Sequence, residues 1–236
     1  MADVDYDAWA DCVSDGVARY LPDTPRPFVL DCACGTGSIT VRLAKRGWKL
    51  VGSDVSPDML RIAQNKARTN GLTIPFVEQD MRRLCAHKPA DVVTACCDGL
   101  NYLASLDDVE AFFRAAHRAL KPNGLLLFDI SSAYKLSHVL DGSTFGEIAD
   151  DLCYIWQTVY DEKTRLAEMT LAFFVREGTL FRRYDETHIQ RAHTRQEIDV
   201  LLETCGFTVL SCCDAFSADP PKADSERIQW IVRRSN

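Results

Sequence analysis

The sequence contains no apolar run that approaches the roughly 18 residues needed to cross a membrane. Its opening segment, "MADVDYDAWADCVSDG", is acidic and amphipathic, which is unlike a signal or transit peptide. We therefore expect a cytoplasmic protein that has no membrane partner.

A surplus of positive charge is also absent. The chain carries 27 Lys and Arg residues against 34 Asp and Glu residues, a formal net charge of −7. Proteins that bind nucleic acid need an excess of Lys and Arg to neutralise phosphates. This charge balance therefore argues against a nucleic-acid partner.

The 10 cysteines lack the spacing of a metal site or a disulfide framework, because no C-x-x-C pair occurs. They occur as Cys32-x-Cys34, as the adjacent pairs Cys96-Cys97 and Cys212-Cys213, and as single residues. Adjacent cysteines fit poorly on one tetrahedral metal ion. Most lie in apolar runs, where a free cysteine behaves as a small hydrophobic residue. We expect reduced thiols and no metal.

Strands alternate with helical patterns through the first 130 residues. Strand-like runs cover 28–32, 49–53, 73–78, 91–97 and 124–130, and helical patterns cover 6–20, 37–46, 56–69 and 106–120. This alternation predicts βαβ units and a parallel, doubly wound sheet.

The pattern changes after residue 130, where a short helix is followed by three runs of period-two alternation. The runs cover 152–160, 165–175 and 179–190, and they predict an antiparallel meander. A helix at 194–205 and strands at 207–213 and 227–233 complete the chain. We predict a core of residues 1–130 and 194–236, with residues 131–193 inserted as a cap over the active site.

The stretch "VLDCACGTGSIT" ends the first strand with Gly35 and Gly37, which let the backbone turn sharply and approach a ligand. In open α/β sheets, ligands bind beyond the carboxyl ends of the strands. Asp54 ends the second strand, where a carboxylate accepts both hydroxyls of a ribose. Thr40 stands where a dinucleotide-binding loop has its third glycine, which weakens the case for NAD.

The chain resembles the class I S-adenosylmethionine-dependent methyltransferases, in a branch that acts on small molecules in bacteria. The motifs that carry the resemblance are Asp31-x-Ala33-x-Gly35-x-Gly37, Asp54-x-Ser56-x-x-Met59-Leu60, Gln79-Asp80-Met81, "CCDGLNYL", "LKPNGLLLFDI" and "RRYDETHIQRAH". The resemblance spans nearly the whole chain and implies a mostly parallel, seven-stranded Rossmann-like sheet.

The resemblance also implies residue roles. Gly35 and Gly37 would border the methionine part of S-adenosylmethionine, and Asp54 would hold the ribose. Met59 and Met81 would flank the adenine, Asp80 would accept from its amino group, and Asp98 would lie near the methionyl end. The remaining expected cofactor contacts are Tyr6, Trp9, Asp31, Ala33, Val55 and Cys97.

Charge agrees with these roles, because the cofactor carries a sulfonium cation that acidic residues such as Asp31 and Asp98 would favour. It has no phosphates, so a third glycine is not needed. Relatives usually have a further N-terminal segment with tyrosines that folds over the cofactor. In this sequence only Tyr6 and Trp9 are available for that role, so we expect a shorter lid or a truncated start.

Three polar side chains share one face of the third cap strand by alternation: Tyr184, Glu186 and His188. We expect them to be the catalytic residues, with His188 as base or hydrogen-bond partner of the methyl acceptor. A solvated outer surface is the alternative interpretation of such a face. Further candidates from the cap are Tyr134, Trp156 and Tyr160, and His193 and His117 are weaker ones.

The expected reaction moves a methyl group to a nitrogen or an oxygen of a small molecule and leaves S-adenosylhomocysteine. A dinucleotide-dependent oxidoreductase and a non-catalytic nucleotide-binding regulator are the alternatives, which calorimetry with S-adenosylmethionine, NAD and ATP separates. The protein is expected to be a monomer or a homodimer.

Overall fold

The computed structural model describes residues 4–235. Five α-helices are α1 (Tyr6–Tyr20), α2 (Ser38–Lys45), α3 (Pro57–Thr69), α4 (Leu106–Ala119) and α5 (Arg195–Thr204). Side-chain caps begin four of them, at Asp5, Ser56, Ser105 and Thr194. Helix α2 instead follows Gly37 without a side-chain cap.

Eleven strands form two sheets. The first five are β1 (Phe28–Cys32), β2 (Lys49–Asp54), β3 (Phe76–Glu78), β4 (Ala90–Ala95) and β5 (Leu120–Ser131). The cap strands are β6 (Thr144–Ile148), β7 (Leu152–Asp161), β8 (Leu166–Glu177) and β9 (Leu180–Arg191), and the last two strands are β10 (Phe207–Asp214) and β11 (Arg227–Arg234). A 3-10 helix (Gly99–Tyr102) follows β4, and a π-helix (Lys135–Val139) follows β5.

The core sheet has seven strands in the order β10-β11-β5-β4-β1-β2-β3. Strands β1 to β5 pair in parallel, whereas β11 pairs antiparallel with both β5 and β10. The predicted doubly wound, mostly parallel sheet is therefore confirmed. The order reverses at β1, so the loops after β1 and β4 meet at the carboxyl edge where such folds bind ligands.

Both faces of the core sheet are covered. Helices α1 and α2 pack on one face through residues such as Trp9 and Leu43. On the other face Phe112 and Phe113 of α4 pack against β5 and β11, where the rings of Phe128 and Trp230 stack with centroids 5.3 Å apart. Burial on both faces explains why these strands read as continuous apolar runs.

The cap is a four-stranded antiparallel sheet in the order β6-β7-β8-β9, inserted after β5. Its first strand, β6, is absent from the sequence prediction. All five residues of β6 are exposed, and Gly146 interrupts a short run that otherwise holds the β-favouring residues Thr144, Phe145 and Ile148, so no buried or alternating pattern marks it. The pairing of β6 with β7 is a contact that only the folded chain reveals.

Among residues 4–235, no helix is long and apolar enough to span a membrane. Within the same range, no cluster of His, Cys, Asp and Glu side chains is arranged to hold a metal ion. All ten cysteines are free thiols.

Candidate active site

The loop between β1 and α2 adopts the left-handed conformation three times, at Ala33 (φ 49°), Gly35 (φ 53°) and Gly37 (φ 70°). A Cβ added at Gly35 would meet no atom within 4 Å, whereas one added at Gly37 would lie 2.9 Å from the Cβ of Ala63. Gly37 is therefore required by packing of α2 against α3. Gly35 leaves its backbone open to a ligand.

Asp54 holds this loop from the end of β2. Its Oδ2 accepts from the Gly35 amide at 2.8 Å, and its Oδ1 accepts from the Ser56 amide at 2.9 Å. A carboxylate has about four lone-pair positions, so Asp54 retains acceptor capacity for further hydroxyls. Its role in holding a ribose stays a prediction.

Apolar surface lies beside Asp54 at the start of α3. Val55 is 65% exposed and Met59 is 41% exposed, while Met81 is buried. The Asp80 carboxylate accepts from the Nε and Nη2 of Arg82, and these bonds lower its pKa. The predicted adenine contacts therefore divide into two exposed apolar side chains, a buried methionine and a carboxylate bound to an arginine.

Asp31 is buried, and its two oxygens accept from the hydroxyls of Thr40 and Thr94. Burial raises the pKa of Asp31 to about 6, although the threonine hydroxyls act in the opposite direction. The side chain therefore ties α2 and β4 to β1. Its predicted contact with the cofactor stays a prediction.

Asp98 lies in the left-handed region (φ 55°), as does the preceding Cys97 (φ 62°). Its Oδ1 accepts from Nη2 of Arg227 at 2.8 Å, and its Oδ2 accepts from Nε2 of Gln190 at 2.8 Å. The Asp98 amide donates to Oδ2 of Asp129 at 2.9 Å. Side chains from the core and from the cap thus meet at Asp98.

Arg227 bridges Asp98 and Asp129 at the start of β11. Asp129 is fully buried, and burial raises its pKa to about 6 even though Arg227 acts to lower it. Two carboxylates and one guanidinium leave one net negative charge in this cluster. We call Asp98, Asp129 and Arg227 the carboxylate–arginine cluster.

The two predicted residues of α1 lie beside this cluster. Trp9 is buried, with Arg227 5.5 Å from its ring centroid and Phe216 in an edge contact at 4.7 Å. Partial burial raises the pKa of Tyr6, and Cys97 and Asp98 add to the increase. Helix α1 therefore brings both aromatic residues to the end of β4.

His188 faces the core from β9 and links two side chains. Its Nδ1 lies 3.3 Å from the hydroxyl of Tyr102, and its Nε2 lies 3.2 Å from Oε2 of Glu186. Partial burial raises the pKa of Tyr102, and Asp98 adds to this effect. His188 thus contacts the core through Tyr102, and its role in catalysis stays a prediction.

The other predicted cap residues have different surroundings. Tyr184 is on the same face of β9 as His188 and is 46% exposed. Tyr134 stacks on His138 with ring centroids 5.2 Å apart. Trp156 and Tyr160 pack against the π-helix segment.

The two weaker histidine candidates make packing or backbone contacts elsewhere in the fold. His193 is fully buried, its Nε2 lies 3.0 Å from the Leu103 carbonyl oxygen, and burial lowers its pKa to about 4. His117 packs against Phe207 on α4, with ring centroids 5.4 Å apart.

Four residues of the site are not among the sequence predictions: Tyr102, Gln190, Asp129 and Arg227. Tyr102 lies within the quoted motif "CCDGLNYL", and alternation puts Gln190 on the same face as His188. Those signals could have identified both. Asp129 and Arg227 meet only because β5 and β11 are neighbours in the sheet.

A family model described as a methyltransferase domain matches residues 29–124. YqeM of Bacillus subtilis (strain 168), named as a proposed methyltransferase, is 37% identical over 236 residues, which is 100% of this chain and 93% of that protein. The dTDP-4-amino-2,3,4,6-tetradeoxy-D-glucose N,N-dimethyltransferase of Saccharopolyspora spinosa is 28% identical over 86% of this chain and 79% of that protein.

A solved structure agrees with the sequence relatives. The S-adenosylmethionine-dependent methyltransferase from Clostridium acetobutylicum ATCC 824 is 32% identical, with a TM-score of 0.90. The match covers 100% of this chain and 94% of that one. With the glycine loop, Asp54 and the reversal of strand order at β1, these matches show that the chain belongs to the class I S-adenosylmethionine-dependent methyltransferases.

Proposed function

We propose that this chain methylates a nitrogen or an oxygen of a small molecule held between the core and a cap formed by residues 131–193. One observation carries the proposal: strand β9 reaches the carboxyl edge of the core through two side-chain contacts. Gln190 binds Asp98 at 2.8 Å, and His188 lies 3.3 Å from Tyr102. An acceptor beside His188 would therefore lie next to the cofactor edge of the core.

The residues at this edge fit S-adenosylmethionine. Gly35 faces open space, Asp54 has acceptor positions left for ribose hydroxyls, and Val55 and Met59 leave apolar surface for an adenine ring. When bound, this cofactor supplies a methyl group activated by its sulfonium. The net negative charge of the carboxylate–arginine cluster favours a cation at this edge.

His188 would take the proton of the acceptor. Glu186 accepts from Nε2–H of the imidazole, which leaves Nδ1 as the acceptor nitrogen toward Tyr102. A substrate N–H or O–H that reaches Nδ1 would pass its proton to His188, and Tyr102 would hold the acceptor by a hydrogen bond. Tyr184 completes this face of β9 and would contact the body of the acceptor.

The relative from Saccharopolyspora spinosa supports a nitrogen acceptor, because its name assigns it the dimethylation of an amino sugar. Its match covers 86% of this chain, so it includes cap residues as well as the core. Nitrogen is accordingly the first acceptor atom to test.

The test is the His188→Ala variant. A panel of amines, hydroxylated metabolites and sugars is screened for S-adenosylhomocysteine release, and the variant is compared with the unmodified protein on the best acceptor. We expect turnover to fall by about 10²–10⁴-fold, the usual contribution of a general base. The dissociation constant of S-adenosylmethionine, measured by calorimetry, should stay within about twofold, because Asp54 and Gly35 are untouched.

His87→Ala is the matched control, since His87 is an exposed histidine outside the site. It should change neither quantity. A parallel loss of cofactor binding in His188→Ala would make His188 a folding residue. Unchanged turnover would remove it from the reaction.

A further inference from the structure

The cap sheet has an inner face, which we define as the side that bears Trp156, Leu171 and His188. Strand pairing fixes which residues share this face, because directly opposed residues point to the same side. Tyr154, Phe173 and Tyr184 oppose one another across β7, β8 and β9. We call these three the aromatic row.

On the inner face, the row of opposed residues that contains His188 lies two rows away from the aromatic row. Trp156, Leu171 and Glu186 form the next row, and Met169 opposes His188 in the row after it. Alternate residues of a strand lie about 7 Å apart, so the aromatic row is about 14 Å from His188. The inner face is therefore long enough for a molecule with a reacting end and a separate body.

Only part of the inner face is covered. Leu136 and Leu140, from the π-helix segment, pack against Ala167 and Met169. Beyond them Tyr184 is 46% exposed, and Tyr154 and Phe173, whose ring centroids lie 6.1 Å apart, are half-buried. Exposed aromatic surface beside a polar pair is typical of a binding site.

The charge of the inner face is negative where it adjoins His188. The Glu186 side chain is 55% exposed and lies 3.2 Å from the imidazole. The guanidinium on this face belongs to Arg182, whose Nη2 is already paired with Glu177 at 2.9 Å. The inner face therefore favours a cationic ligand and offers no unpaired cation, within the described residues, to a phosphate.

We propose that the methyl acceptor is a primary or secondary amine with a flat apolar body. The ammonium group lies at Glu186 and His188, and the body lies along Leu171 and the aromatic row. This inference rests on the proposed function and names its substrate class. It differs from the acceptor in the name of the Saccharopolyspora spinosa relative, whose dTDP group carries a pyrophosphate that Glu186 would repel.

The transfer balances with these groups. An ammonium that enters beside Glu186 first loses one proton to solvent, which frees the nitrogen lone pair. The lone pair forms the N–CH₃ bond, and the C–S bond breaks with its electrons kept by sulfur. The methylated nitrogen then releases its surplus proton to Nδ1 of His188, which passes it to solvent.

The experiment is a calorimetric titration of the full chain saturated with S-adenosylhomocysteine. Four probes separate the parts of the proposal: 2-phenylethylamine, 2-phenylethanol with the same body, ethylamine with the same head group, and thymidine diphosphate. We expect 2-phenylethylamine to bind about tenfold tighter than either truncated analogue, because a charge-assisted hydrogen bond and ring contacts each contribute on this scale. Thymidine diphosphate should bind weakest.

Variants of Glu186 and Tyr184 test which side chains of the inner face bind the probes. Glu186→Gln should weaken 2-phenylethylamine about tenfold and leave 2-phenylethanol unchanged. Tyr184→Leu should weaken both phenyl probes about threefold, and Tyr184→Phe should restore them. Phe181→Leu is the matched control, because Phe181 is an exposed aromatic residue on the opposite face of β9.

Several results would overturn this inference: equal affinity for the amine and the alcohol, tighter binding of thymidine diphosphate, or no amine binding at millimolar concentration. If S-adenosylhomocysteine binds and His188-dependent turnover occurs with an alcohol, the proposed function stands and the amine class is wrong. If neither S-adenosylhomocysteine nor S-adenosylmethionine binds, the proposed function itself fails.

Discussion

The cofactor edge of the core and the inner face of the cap hold their polar side chains in different ways. At the core edge, Asp54 at the end of β2 binds the amide of Gly35, 19 residues earlier in the chain, in the loop that follows the neighbouring parallel strand β1. In the cap, His188 meets Tyr102 across 86 residues and Gln190 meets Asp98 across 92. The core site is built within one sheet, whereas the cap joins it through long-range contacts.

The core and the cap also differ in how deeply their strands are buried. All five residues of β1 are buried, while all five of β6 are exposed. Asn101 lies at the joint: its side chain is buried and donates to the carbonyl oxygens of Ser131 at 2.9 Å and Arg191 at 3.0 Å. The buried strands of the core, to which we assign the cofactor, thus differ from the more exposed strands of the cap, to which we assign the acceptor.

The largest effect should come from the carboxylate–arginine cluster, in the variant Arg227→Met. Without the guanidinium, Asp129 is left as a buried carboxylate beside Asp98. Removing one partner of a buried ion pair typically costs about 3–5 kcal/mol of unfolding free energy. Urea unfolding measures the loss, and Arg61→Met is the control, because the Arg61–Asp58 pair is exposed and should contribute less than about 1 kcal/mol.

The charge explanation also predicts how the stability loss in Arg227→Met depends on pH. Asp129 has its pKa raised to about 6, above its unfolded value of 3.8, so the folded state binds more protons between these values. Its destabilising effect is fully present above pH 6 and is lost as the pH falls toward 3.8. Because Arg227 acts to lower this pKa, the pKa of Asp129 in Arg227→Met should lie higher still, so the variant takes up the proton at a higher pH than the unmodified protein does. The difference in unfolding free energy between the two proteins should therefore be largest at alkaline pH and shrink as the pH falls toward 6, and a pH-independent difference would contradict the charge explanation.

The same division explains what the sequence could predict. The core strands are apolar runs separated by helices, and Gly35, Gly37 and Asp54 stand at strand ends in a known order, so short-range patterns suffice. The three long cap strands show alternation and were predicted within one or two residues.

The long-range contacts of the site could not be predicted in the same way. Asp98 accepts from Arg227, 129 residues later in the chain, and that contact depends on the antiparallel pairing of β11 with β5. Asn101 reads as part of a loop, yet it joins two strand ends. A single sequence contains no periodic signal for such pairs.

A smaller effect is expected at the core edge in Asp54→Ala. Binding of S-adenosylmethionine should weaken by more than about tenfold, because hydrogen bonds to a charged group contribute roughly 1.5–3 kcal/mol. Calorimetry measures the dissociation constant, and circular dichroism checks that the fold survives. Asp58→Ala is the control, since Asp58 is an exposed carboxylate in the first turn of α3. Unchanged affinity would show that the ribose lies elsewhere.

The smallest expected effect comes from the two glycines, which should respond in opposite ways. Gly37→Ala places a Cβ 2.9 Å from Ala63 at φ 70°, so strain and overpacking should lower the unfolding free energy by about 2 kcal/mol. Gly35→Ala meets no atom within 4 Å, so its cost is the left-handed conformation alone, about 1 kcal/mol.

The affinity for S-adenosylmethionine should rank the two glycine variants in the opposite way. The Cβ of Gly35→Ala projects into the space left for the ligand, so this variant should bind S-adenosylmethionine less tightly than Gly37→Ala once the folded fraction is equal. Urea unfolding measures the unfolding free energy of each variant, and calorimetry measures its dissociation constant for S-adenosylmethionine. If Gly35→Ala loses more stability than Gly37→Ala but binds the cofactor normally, the open space at Gly35 is not part of the cofactor site, and the core edge must bind its ligand through other backbone.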